Sequence, residues 1–294
     1  MKFGMSMMGL SPRYYPEIAR SAETNGFESV WMPEHLMLPA QMPPTYPYSE
    51  SGYAAINGDT PMYDPWVVMA TVAATTTSIR LATNVYVLTL RHPFITARSV
   101  ATLDRVSGGR VTLGAGVGWL EEEFINTGVS FHDRGRRMEE IIPILRRLWS
   151  EDVIEHHGEF FDFAPVKFQP KPLQKPNIPI HIGGHGAPAL RRAGRMADGW
   201  IEVGSHDFDT LQKRLDIVMT ARREAGRDNE PFEVSSGLGV NYDTVRRCED
   251  LGIARVIVGP RSDPADRDKD PARMRKEDFA SWSERFGNDV IAKI

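Results

Sequence analysis

Short apolar runs bounded by Gly, Pro, Asn and Asp alternate along this chain with longer segments whose apolar positions fall three and four residues apart. The first pattern predicts strands and the second helices. Lys2 to Met8 reads as strand one, followed by PRYYPEIARSAETNG as a helix stopped at Gly26. FESVWM is strand two. DPWVVMATVAATTT is a helix, IRLATNVYVL strand three, and PFITARSVATLDRVSGG a helix closed by Gly108 and Gly109. RVTLGAG is strand four, and DRGRRMEEIIPILRRLW is a strongly amphipathic helix. NIPIHIGG with ALRRAGRMA, DGWIEVG with FDTLQKRLDIVMTARREAG, and FEVSSGLGV with YDTVRRCEDLG are three further strand–helix pairs. ARVIVGP is strand eight, and FASWSERFGNDVIAKI the last helix.

Eight strands in strictly alternating order, each a near-continuous apolar run, predict a parallel sheet buried on both faces. The fold expected is an α/β (β/α)8 TIM barrel, one domain over residues 1–294, since no linker divides the chain. Two intervals are long. Residues 36–63 follow strand two and are rich in Pro, Tyr, Met and Gly; residues 151–177 follow helix four and read as a hairpin. Insertions after strands in such barrels build and cover the mouth.

Composition narrows the function classes. Of 294 residues, 41% are hydrophobic and 25% charged, an ordinary globular balance. The net charge of −4 gives no basic field for nucleic acid. No apolar run is long enough for a membrane span, and MKFGMSMMGLSPRYY lacks the apolar core and cleavage site of a signal peptide. A cytoplasmic protein without membrane partners is expected. Cys248 is the single cysteine, which excludes an intrachain disulfide or a cysteine metal cluster. His156 and His157 are adjacent and ill placed to share a metal, so no metal site is expected. Asp263 to Asp270 form a charged run that reads as a solvated loop.

Chemistry in this fold belongs to the strand C-termini. Strand two ends in WMPEHL, placing Glu34 and His35 at the mouth. A histidine there can move protons near neutral pH, with an adjacent carboxylate on its ring nitrogen; a solvated loop histidine is the plain alternative. Strand three ends at Asn84 and Val85, with Arg91 and His92 beyond as anion contacts or surface charge. Strand four ends in LGAGVGWLEEEF. Its glycines Gly114, Gly116 and Gly118 either admit a ligand close to the backbone or simply pack a tight barrel. The spacing is neither a dinucleotide fingerprint nor a P-loop. Strand five ends in IGGHG and feeds a helix, either a ready phosphate site or an ordinary turn.

Taken in order, ESVWMPEH, LATNVYVLTLRHPFITARSVATLDRVSGGRVTLGAGVGWLEEEF, GEFFDF with VKFQPKPLQKPNIPIHIGG, and RRAGRMADGW resemble the bacterial luciferase-like monooxygenase family, in its coenzyme F420-dependent branch. The resemblance covers nearly the whole chain. It implies a homodimer packed through barrel helices two and three, here ATVAATTT and TARSVATL. It implies a deazaflavin ring in the mouth, contacted by Glu34 and His35. The ring would lean on Thr83, Asn84 and Val85 at a bulge often built on a non-proline cis peptide. Gly114, Ala115, Gly116, Val117, Gly118 and Trp119 would run along the ring and its side chain. Ile182, Gly183, Gly184, His185 and Gly186 would take the phosphate. Alcohol- and sugar-phosphate-oxidising members often carry Asp at position 34 and an acidic residue at position 119, so this chain departs from their pattern.

The activity expected is hydride transfer between coenzyme F420 and a small organic substrate. His35 is the catalytic proton carrier, and Glu34 its orienter or a second acid. Trp119, Tyr46, Tyr48, Tyr53 and Tyr63 either cover the substrate or pack the loop. Two alternatives stand. One is an FMN-dependent monooxygenase supplied by a separate reductase; the other is a barrel that binds flavin or phosphate without turnover. Gly135 replaces a tyrosine that reaches the phosphate in many FMN-using relatives. Arg91, Arg134, Arg136 and Arg137 could meet the acidic tail of F420. Both points favour the deazaflavin.

Overall fold

The computed structural model describes residues 1–204, 207–262 and 274–294. The charged run Asp263 to Asp270 lies outside the described residues. In chain order the strands are β1 (Lys2–Ser6), β2 (Ser29–Met32), β3 (Arg80–Thr83), β4 (Tyr86–Val87), β5 (Val111–Gly116), β6 (Ile154–His157), β7 (Asp162–Val166), β8 (Ile180–Gly183), β9 (Gly199–Ile201), β10 (Glu233–Ser236) and β11 (Arg255–Val258). The helices are α1 (Tyr15–Thr24), α2 (Pro65–Ala73), α3 (Pro93–Val106), α4 (Glu121–Thr127), α5 (Arg134–Ser150), α6 (Ala187–Met196), α7 (Phe208–Glu224), α8 (Tyr242–Asp250) and α9 (Lys276–Asp289).

Eight of the strands close into a parallel barrel in the order β3, β2, β1, β11, β10, β9, β8, β5. The ring shuts where Leu81 and Ala82 of β3 pair with Val111 and Thr112 of β5. The sequence-based (β/α)8 expectation holds. The insertion after helix four is the antiparallel hairpin β6–β7, as expected. Residues 36–63 carry turns but no helix or strand. α4 was not foreseen, and the single strand three expected over IRLATNVYVL divides into β3 and β4, the latter resuming past residues 84–85 to pair with the end of β5.

Alternation along the strands divides the interior into two environments. Outward-facing Met5, Val30, Leu113, Ile180, Ile182, Trp200 and Val256 join the helix faces in the main core. On α5, Met138, Ile141, Ile142, Leu145, Leu148 and Trp149 make the buried stripe. Cys248 on α8 is fully buried in the same core, and burial pushes its thiol up to about 12.

Inward-facing residues fill the barrel. Trp31 lies across it over Gly4, where a Cβ would fall 2.4 Å from Nε1; the indole donates to Ser29 Oγ at 2.8 Å. Below is a charged layer. Arg255 pairs with Glu28 and Glu233, each at 2.9 Å, and Lys2 pairs with Glu233. His181 is fully buried beside this layer with Nδ1 unpartnered. Burial first, and then Arg255, hold it down at about 3. Above, Trp31, Ala82, Ile201 and Ile257 pack with Val85 and Val203 to form an apolar floor facing the mouth.

Candidate active site

Residue 85 organises the floor. The Asn84–Val85 peptide is cis, as the sequence resemblance leads one to expect, and Asn84 N–H is tied to Met32 O at 2.8 Å. Val85 sits between two glycines. A Cβ at Gly116 would fall 2.5 Å from Val85 Cγ2, and one at Gly183 would fall 2.6 Å from Cγ1. These glycines make room for a branched side chain at the centre of the mouth.

Other predicted positions serve the wall. A Cβ at Gly114 would lie 1.7 Å from Thr83 O, and Thr83 Oγ1 donates to Gly114 O at 2.7 Å. Thr83 and Gly114 therefore staple β3 to β5 where the barrel closes. The side chains of Ala115 and Ile182 belong to the helix-facing core, so only their backbones can meet a ligand. Val117 O accepts from Thr89 Oγ1 at 2.8 Å. Gly118 adopts φ +85°, where a side chain would strike Phe124 and Val87.

Glu34 and His35 diverge. The buried Glu34 carboxylate accepts from Val87 N–H at 2.9 Å and from Arg91 Nη2 at 2.5 Å. The Arg91 guanidinium lies 4.4 Å from the centroid of Tyr86. Burial opposes the Arg91 charge, but Glu34 outweighs it and holds the group above its usual range. Glu34 thus does not orient His35. That role falls to Glu123 of α4, which the sequence reading missed. Glu123 is fully buried; its Oε2 lies 3.0 Å from His35 Nδ1, and its Oε1 accepts from Leu36 N–H at 2.6 Å. The run Glu121–Glu122–Glu123 has three like residues in a row, with no periodicity to set one apart as buried. The one available signal was the adjacent apolar Phe124, which is also fully buried.

A row of rings crosses the mouth. His35 meets Trp119 edge-on at 5.6 Å, Trp119 meets Tyr46 at 5.0 Å, Tyr46 meets Tyr48 at 5.2 Å, and Tyr48 meets His185 at 4.7 Å. Of the four tyrosines singled out in the sequence, only Tyr46 and Tyr48 join it. Tyr53 is 57% exposed, and Tyr63 packs against the main core. On the far rim Glu202, just past β9, pairs with Arg214 at 3.2 Å and accepts from Ser236 Oγ at 3.3 Å. Sequence patterning gave no sign of this group.

At the β8 turn, Gly184 has φ +129° and its carbonyl accepts from Trp200 Nε1 at 2.9 Å. His185 follows, and Gly186 stands at the N-cap of α6, where no side chain caps the helix. His185 Nδ1 is buried without a partner. Burial, then Arg214, lowers its basicity. The arginines considered for an acidic tail already have partners in the chain, those of Arg136 at the surface. Arg134 donates to Gly118 O at 3.1 Å and Phe131 O at 2.6 Å. Arg137 donates to Thr89 O at 2.9 Å, and Arg136 pairs with Asp133 and Glu159. At Gly135 a Cβ would lie 2.7 Å from Arg192 Nη2, so that guanidinium fills the space a side chain would need. Among the described residues no cluster of three or more His, Cys, Asp or Glu suits a metal ion, and no helix is long and apolar enough to cross a membrane.

Comparison with known proteins agrees with this architecture. Residues 2–265 match the luciferase-like monooxygenase family, and the chain belongs to it. An uncharacterized protein of Mycobacterium tuberculosis is 35% identical over 297 aligned positions, covering 100% of both chains. An F420-dependent glucose-6-phosphate dehydrogenase of Nakamurella multipartita is 30% identical over 243 positions, covering 80% of this chain and 65% of that one. The solved structure of an F420-dependent secondary alcohol dehydrogenase, in complex with an F420–acetone adduct, superposes with a TM-score of 0.76. It is 19% identical, with 99% of this chain and 98% of that one covered, and shares the fold.

Proposed function

We propose that this luciferase-like family member is an oxidoreductase that binds coenzyme F420 in the barrel mouth and exchanges a hydride between it and a small organic substrate. The observation that carries the reading is a buried-carboxylate–histidine pair, Glu123 and His35, at the edge of an apolar floor topped by Val85. When bound, the deazaflavin supplies a ring carbon that gives or takes a hydride while reacting little with oxygen. The residues fit such a group. Val85, seated in the Gly116 and Gly183 recesses, offers a surface for a flat ring. The uncapped α6 N-terminus and the unpartnered His185 Nδ1 suit a phosphate.

The chain's own work follows from these positions. Glu123 accepts from Nδ1–H of His35, which leaves Nε2 to hold or move one proton at the substrate. Glu34, locked to Arg91, fixes the β2 end against β4. Trp119, Tyr46 and Tyr48 exclude water from the reacting groups. The 30% identical F420-dependent relative supports the cofactor, as does the absence of a side chain at Gly135. A second reading, an FMN-dependent monooxygenase fed by a separate reductase, gains from one observation: Arg91, Arg134 and Arg137 are occupied within the protein, which leaves of that set the exposed Arg136 alone for the acidic tail. Fluorescence titration of the apoprotein with F420 and FMN decides between them. F420 is expected to bind at least tenfold more tightly. The opposite order moves the protein to the flavin branch, and binding of neither overturns both readings. A cytoplasmic homodimer packed through α2 and α3 completes the proposal; Val67 on α2 and Ile95 on α3 present apolar side chains that are 67% and 58% exposed.

A further inference from the structure

Two polar groups without partners converge on the β8 turn. His185 Nδ1 is buried and makes no hydrogen bond. The Tyr48 ring, reaching over from the 36–63 insertion, stands edge-on to the His185 imidazole at 4.7 Å. Its hydroxyl lies 3.9 Å from the position a Gly184 Cβ would take, and among the described residues it makes no hydrogen bond. The ring is held from two sides. A Cβ at Gly204 would fall 3.1 Å from Tyr48 Cδ1, and Tyr46 packs on the other edge and leans on Trp119. Burial raises the Tyr48 phenol to about 12, so at neutral pH it is an O–H donor.

We infer that Tyr48 and His185 form a side-chain clamp over the α6 N-terminus that completes the phosphate subsite, making the 36–63 insertion part of the cofactor site as well as its cover. The inference rests on the mouth being a deazaflavin or flavin site. A phosphate presents more acceptor oxygens than a helix end with a proline at its second position can satisfy, because Pro188 has no N–H to give. Tyr48 Oη–H is a donor beside that turn, and the buried His185 Nδ1 is a second polar atom there with no partner of its own. Position 135 cannot supply a donor, since it lacks a side chain and Arg192 occupies the space beside it.

The test separates phosphate recognition from ring packing. Wild-type protein, Tyr48→Phe and His185→Ala are titrated with F420 and with its phosphate-free chromophore, 8-hydroxy-5-deazariboflavin; FMN and riboflavin form a parallel pair. Losing one hydrogen bond to a charged group corresponds to roughly tenfold or more in affinity. Tyr48→Phe is therefore expected to weaken F420 and FMN about tenfold while leaving the phosphate-free partners within about twofold. Unchanged affinity for F420 and FMN overturns the inference, as does equal weakening of both members of each pair. If wild-type protein binds neither pair, the cofactor reading itself fails and the clamp falls with it. If His185→Ala repeats the Tyr48→Phe pattern, the clamp is supported at both residues.

Discussion

Replacing Glu123 with glutamine tests the pair on which the proposed chemistry depends. The carboxylate is fully buried and accepts two hydrogen bonds, from His35 Nδ1–H at 3.0 Å and Leu36 N–H at 2.6 Å. A glutamine has one acceptor oxygen and must turn its NH2 toward one of those donors. A charge-assisted hydrogen bond contributes about 1.5–3 kcal/mol, and a stranded buried donor costs about 1–3 kcal/mol. With His35 partly open to the mouth, the expected loss is about 2–4 kcal/mol. Unfolding entropy is roughly 2.1 cal/mol/K per residue, which gives about 0.6 kcal/mol/K for a chain of 294 residues. Tm should therefore fall by about 3–6 °C. A second readout separates orientation from stability. With Glu123 in place, nitrogen NMR of labelled histidine should show neutral His35 protonated on Nδ1. In Glu123→Gln that preference should be lost, while Glu123→Asp retains part of it. An unchanged tautomer together with a Tm shift below about 1 °C would refute the orienting role.

Five further outcomes are expected. His181, held at about 3 in the folded chain, has an ordinary value near 6.5 once unfolded. Between these values the unfolded state binds the extra proton, so stability falls as pH drops below about 6.5, by about 2 kcal/mol at pH 5. Glu233, held down at about 2, loses its contribution only below the ordinary carboxylate range. Urea unfolding at pH 7.5 and 5 should therefore show a smaller pH dependence in His181→Gln, and an unchanged dependence would contradict this assignment. Gly114→Ala, with its Cβ 1.7 Å from Thr83 O, should prevent soluble folding. In Gly128→Ala, φ is +69° and nothing lies within 4 Å, so melting should report a loss of only about 1 kcal/mol. His35→Ala should lower turnover roughly 10²–10⁴-fold with F420 affinity within about threefold. Val67→Glu combined with Ile95→Glu should convert a dimer to a monomer in light scattering.

The barrel was legible because each strand is buried on both faces and so reads as an apolar run closed by turn residues. What lay inside it was less so. Gly114 and Gly116 look alike in sequence, yet one clears Thr83 O at the closure and the other makes room for Val85; only the register separates them. Glu34 and His35 are neighbours, and neighbours on extended backbone project to opposite sides. That rule already argued against Glu34 as the partner of His35, but it could not supply Glu123, which arrives from a helix of seven residues. The expected strand three covered β3 and β4 as one run; its apolar pattern carries no mark of the division at the Asn84–Val85 peptide. The tyrosines of the insertion carry no periodic signal either, so sequence could not tell Tyr48, packed on His185, from the exposed Tyr53.

The sealed Cys248 thiol has a practical side. Buried in the helix-facing core and held near 12, it offers almost no thiolate to alkylating reagents at neutral pH. To maleimide chemistry the folded protein therefore behaves as a blank background. A cysteine written in at Tyr53, on the exposed flank of the insertion, would carry a single dye or spin label without first removing the native thiol. Such a probe would report directly whether residues 36–63 change their motion when a ligand fills the mouth.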